Sequence, residues 1–120
     1  MNKGAFAEQS FSVTPVVRAG CVVLVLEGDL DLTGAPKLEA AFDACADGLP
    51  VVVDLSGLRF IDSAGLHALL EHGRPTALVR EPESSVARVL DIVSADDALP
   101  LYDEVDAAVA GSARKRALGR

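Results

Sequence analysis

The sequence predicts an α/β fold, a small mixed β-sheet of four or five strands with helices packed on it. Three observations predict it. Short apolar runs at 21–26, 50–55 and 76–79 have the length and composition of buried strands. Between them, apolar residues recur at the three- and four-residue spacing of amphipathic helices. Half of the 120 residues are hydrophobic, yet only 4% are aromatic and Trp is absent, so the core has to be built from Val, Leu and Ala. That length suits one domain with its own core.

Taken in order, residues 1–10 carry no periodicity and are expected to be a flexible N-terminus. Two β-like runs, 11–17 and 21–26, are joined by Arg18, Ala19 and Gly20, which reads as a hairpin. Pro15 cannot donate to a ladder, which places the first strand at an edge or gives it a bulge. Residues 27–33 end the second strand. Thr33 or Gly34 can then cap a helix whose first turn accepts Pro36. Leu38, Ala41, Phe42 and Cys45 follow at helical spacing, and Gly48 is a natural stop. Strand 50–55 completes a strand–helix–strand unit with a right-handed crossover.

A helix opens at Ser63, with Asp62 as its N-cap and Leu66, Leu69 and Leu70 as its apolar stripe. Gly73 and Pro75 cut it short. A strand at 76–79 comes next, then a helix opened by Glu83, Ser84 and Ser85 with Val86, Val89, Leu90 and Val93 on one face. Residues 99–102 form a brief strand. Asp103 then caps a last helix in which Val105, Ala108 and Val109 face inward.

Charge is unevenly spread. All 18 acidic residues precede Gly111, whereas Arg114, Lys115, Arg116 and Arg120 crowd the last ten positions of a chain with net charge −7. An acidic body argues against nucleic-acid binding through the fold. Residues 111–120 lack an apolar stripe and are expected to be a basic flexible tail, dispensable for folding. No run approaches the ~20 apolar residues of a membrane span, and no signal-peptide core opens the chain, so a cytoplasmic protein without membrane contact is expected. Cys21 and Cys45 are too few and too isolated for a disulfide framework or a zinc site, and read as small buried hydrophobes.

The stretch around Ser63 is the one to explain. Asp54-Leu-Ser-Gly-Leu-Arg-Phe-Ile-Asp-Ser-Ala-Gly-Leu66 follows the Val-rich strand and leads into a helix. The start of a helix after a sheet strand is a favoured place for a ligand or partner. This stretch resembles the signature of the STAS domain of bacterial anti-sigma factor antagonists, and the element order over 11–110 is similar as well. The resemblance implies that Ser63 is phosphorylated by a partner that is both anti-sigma factor and serine kinase, with ATP and Mg²⁺ held by the partner and no cofactor in this chain. The Gly28-Asp-Leu-Asp31 segment resembles a second part of that pattern and implies that Asp31 lies near the serine. The partner-binding residues expected on this basis are Asp29, Asp31, Asp62, Ser63, Ala64, Gly65 and His67. In the family the helix after the serine is usually about two turns longer, so sheet coverage or a partner-facing edge is expected to differ here.

Other chemistry has less support. A nucleophile elbow needs Gly-x-Ser-x-Gly, and Ile61 occupies the first glycine position. Asp62 is expected to serve as a cap beside the serine, whereas a triad needs its acid oriented onto the histidine. No catalytic residue is therefore assigned. His67 and His72 are five apart and diverge around a helix, unlike the four-residue spacing of zinc helices. Asp29 and Asp31 could hold a cation only loosely. Phosphate-binding glycine motifs are absent from the sequence. Asp31 also has a purely structural reading, as a strand-end turn residue that caps the following helix. The expected function is that of an anti-sigma factor antagonist. The alternative is a scaffold or sensory subunit of a larger regulatory or transporter-associated complex. The sequence leaves the oligomeric state open.

Overall fold

A computed structural model of the chain describes residues 10–118, with side chains as far as residue 115. Five strands form one sheet in the order β1-β2-β3-β4-β5. They are β1 Phe11–Arg18, β2 Cys21–Leu30, β3 Val51–Ile61, β4 Ala77–Val79 and β5 Leu101–Tyr102. β1 pairs antiparallel with β2, and every later pair is parallel, so the sheet is mixed as expected. Ala19 and Gly20 close the β1–β2 hairpin, both at positive φ, which matches the twist of the flanking strands. Pro15 lies in the edge strand, where its missing N–H is harmless.

Four helices accompany the sheet: α1 Ala35–Ala44, α2 Ser63–Glu71, α3 Ser85–Ile92 and α4 Val105–Leu118. The strands follow one another in sequence order. Right-handed crossovers between adjacent parallel strands all fall on one face of such a sheet. Accordingly α1, α2 and α3 share a large apolar core with Leu24, Val51, Val53 and Leu78. The other face carries a smaller core in which Cys21, Val23, Val52 and Val79 meet Ala108 and Val109 of α4. Alternate residues of β3 therefore serve different cores, and Val51, Val52 and Val53 are all fully buried, as a continuous Val run implies.

Three boundaries differ most from expectation. β3 was expected to end at 55 and continues to Ile61, held to β2 by pairing that is irregular at two places. α1 stops at Ala44, and Gly48 lies in the turn beyond it. The largest difference is at the C-terminus. α4 runs to Leu118, past the expected end of the folded part at 110. Ser112 is buried and Ala113 packs on the second core, so this part of the expected tail does bury surface. Residues 1–9 of the expected N-terminal segment, and 119–120 of the tail, lie outside the described residues.

α2 is short, as Gly73 and Pro75 predict. Its end is nevertheless tied down. His72 Nε2 lies 2.9 Å from Asp43 Oδ1 of α1, and its ring stands 4.9 Å from that of Phe42. Arg74 donates to the Leu49 carbonyl at 3.1 Å. Side chains beyond the helix thus hold the α1–α2 layer together, and Leu69 and Ala68 remain buried beneath it.

Candidate partner-binding site

β2 and β3 end side by side, Leu30 opposite Ile61, and the chain leaves each strand through a capped turn. At the end of β2, Asp31 Oδ1 accepts from the backbone N–H of Thr33 and of Gly34, both at 3.0 Å. The Ala35 N–H donates to the Asp31 carbonyl at 2.8 Å, so Asp31 starts α1 through both its side chain and its backbone. At the end of β3, Asp62 caps α2: its Oδ1 accepts from the Gly65 N–H at 2.9 Å. The Asp62 N–H donates to the Leu30 carbonyl at 3.2 Å, which fixes the two strand ends together.

Ser63 is the first residue of α2 and is exposed. Its position follows from Asp62. The cap satisfies an amide of the first turn and leaves Ser63 at the open end of the helix, where unpaired N–H groups and the dipole favour negative charge. Ala64 is half-buried, and His67 is exposed one turn further on. Gly65 is buried, and a Cβ there would stand 2.4 Å from the Leu30 carbonyl oxygen. Glycine is what lets α2 lie this close to β2.

The structure brings Asp31, Asp62, Ser63, Ala64 and His67 to one rim. Asp29 and Gly65 belong to the same corner but lie below its surface. Asp29 is buried, with its Oδ1 3.4 Å from Arg59 Nε, and so shapes the strand ends more than it offers a contact. Sequence reasoning overlooked two neighbours. Leu32, in the turn held by Asp31, is 75% exposed, and Phe60, two residues before Asp62, is 49% exposed. An apolar residue inside a short polar turn was the available signal for Leu32. Phe60 carried none while β3 was read as ending at 55.

Among the described residues, no three His, Cys, Asp or Glu side chains stand close enough to hold a metal ion. Nor, among them, is any helix long and apolar enough to cross a membrane. Cys21 is fully buried, and burial pushes the half-buried Cys45 thiol above its usual pKa, with Arg74 pulling weakly the other way.

A sheet of this order, with a capped Asp-Ser at the end of its central strand, can be compared with known proteins. The family model of the STAS domain matches residues 12–108. This chain belongs to the STAS domain family. Among solved structures, an anti-sigma factor antagonist from Mycobacterium paratuberculosis is similar over 87% of this chain and 95% of its own, at 28% identity and a TM-score of 0.77. A sulfate transporter family protein from Wolinella succinogenes shares the STAS fold at 23% identity, covering 81% of this chain and 88% of its own, with a TM-score of 0.64. The Bacillus cell fate determinant SpoIIAA in its phosphorylated form shares it at 21% identity, over 82% and 96% of the two chains, with a TM-score of 0.56. No curated protein gives a significant match.

Proposed function

We propose that this STAS domain is an anti-sigma factor antagonist that binds a kinase-type anti-sigma factor and is switched off by phosphorylation of Ser63. One observation carries the reading: an exposed serine hydroxyl at the first position of α2, set there by the Asp62 cap. Unphosphorylated, the rim docks on the partner through Asp31, Asp62, Ser63, Ala64 and His67. Leu32 and Phe60 supply the apolar area that docking removes from water. The partner brings ATP and Mg²⁺. Ser63 Oγ then attacks the γ-phosphorus, the hydroxyl loses its proton, and ADP leaves.

Phosphorylation adds a charge of roughly −1.5 to −2. At a helix N-terminus that charge suits the fold. In the interface it would stand beside Asp62 and near Asp31, and burying it without a cationic partner costs affinity. The switch therefore acts on binding and leaves the structure alone. Incubating the purified chain with the partner kinase and radiolabelled ATP tests this reading. Label should enter wild type and not Ser63→Ala, and label in Ser63→Ala would rule it out.

A second reading has one observation behind it, the shared fold of the transporter-family structure. There the same rim would assemble a scaffold, sensory or transporter-associated complex. A pull-down from the native cell separates the two, since a small ATP-binding kinase supports the first and a large or membrane-bound assembly the second.

A further inference from the structure

At the opposite end of β3 from Ser63, the starts of three parallel strands and the second half of α4 enclose a cleft of about 400 Å³. Its walls are apolar, with Leu49, Pro50, Pro75, Leu99 and Pro100 among them. Pro50, Pro75 and Pro100 lie just ahead of β3, β4 and β5. Proline has no N–H to offer, so these positions give an anion nothing to bind and a hydrocarbon a smooth wall.

The polar groups of the cleft differ in what they have left to give. Thr76 is spent, since its hydroxyl donates to the Val51 carbonyl at 2.9 Å and accepts from the Val51 N–H at 3.1 Å. Ser112 is only 7% exposed, but its hydroxyl oxygen reaches solvent and has no hydrogen-bond partner among the described residues. The Tyr102 hydroxyl is likewise without a partner among them, and it lies against Gly111, where a Cβ would meet it at 2.2 Å. Lys115 is exposed at the mouth and forms no ion pair among the described residues. A concave apolar site with a few polar groups at its edge is the usual form of a small-molecule site.

We infer that this cleft binds a small monocarboxylate with an apolar body, such as a medium-chain fatty acid. The hydrocarbon would lie along the proline and leucine wall. The carboxylate would accept from the Tyr102 and Ser112 hydroxyls and pair with the Lys115 ammonium. Among the described residues one ammonium lines the cleft, and it balances the single negative charge of a carboxylate. The site is separate from the Ser63 rim and does not depend on the partner proposed there.

The chain carries a built-in reporter, because Tyr102 is its only tyrosine and Trp is absent. Its fluorescence is to be followed in the full chain during titration with octanoate and decanoate below their micelle concentrations, with octylamine in a parallel series. Saturable changes with the acids and none with the amine are expected. Lys115→Gln, an exposed change that leaves the fold intact by circular dichroism, should weaken acid binding by about tenfold. Ser112→Ala should weaken it by a smaller factor. The proposal is overturned if neither acid gives a saturable change, if octylamine binds as tightly, or if Lys115→Gln binds decanoate as wild type does.

Discussion

The backbone of Gly65 in α2 rests against the carbonyl of Leu30 at the end of β2, so close that a Cβ would stand 2.4 Å from the oxygen. The obstacle is main chain and has little room to yield. Gly65→Ala therefore sets a helix-propensity gain of about 1 kcal/mol against an overpacking cost of about 1–3 kcal/mol. The cost should win. We expect a lower thermal midpoint and, because α2 is displaced, weaker partner binding, both measurable on the same preparation. An unchanged midpoint would mean that α2 can shift freely.

The two helix caps separate stability from function. Asp62 caps α2 and Ser84 caps α3, its hydroxyl accepting from the Ala87 N–H at 3.0 Å. Each change to Ala should cost about 1 kcal/mol in denaturant unfolding. Only Asp62→Ala should also impair partner binding, since Ser84 lies away from the rim. Equal effects on binding would show that the site responds to stability alone.

Much of this architecture is legible in the sequence, and the exceptions have physical reasons. Val51–Val53, the Asp62 cap, the short α2 and the Ser84 cap all follow from local composition, because each depends on neighbours in the chain. The continuation of β3 through Ser56 and Gly57 does not, since serine and glycine have little strand preference and are held in the sheet by β2. The rim's Leu32 and Phe60 are identified by exposure, which only the assembled sheet reveals. The second half of α4 was missed for a related reason. It is held by small residues that show no apolar stripe: Gly111 lies against Tyr102, Ala113 packs on the second core and Ser112 is buried.

That helix makes truncation informative. Ending the chain after Ala110 would remove Ala113 from the second core, along with the buried Ser112, and take away Gly111 from against Tyr102. A loss of about 1–2 kcal/mol corresponds to several degrees in the thermal midpoint for a domain of this size. An unchanged midpoint would return residues 111–120 to the role of a dispensable tail.

The thiols should be slow to react in the folded protein. Cys21 is fully buried, and the raised pKa of Cys45 leaves less of the reactive thiolate at neutral pH. With a disulfide reagent at pH 7, Cys45 should label slowly and Cys21 only on unfolding. Because the folded pKa is raised, Cys45 favours the native state below its unfolded pKa, and that contribution fades as pH rises through the folded value. Rapid labelling of both residues in native protein would contradict the burial described above.

The central claim is that charge on Ser63 controls binding without disturbing the fold. The most direct measurement is the affinity of wild type, Ser63→Ala and Ser63→Asp for the partner kinase, with far-UV circular dichroism on the same samples. Ser63→Ala should bind as wild type does, while Ser63→Asp should bind at least about tenfold more weakly and keep an unchanged spectrum. Tight binding by Ser63→Asp, or weak binding that accompanies a loss of helix, would contradict the account.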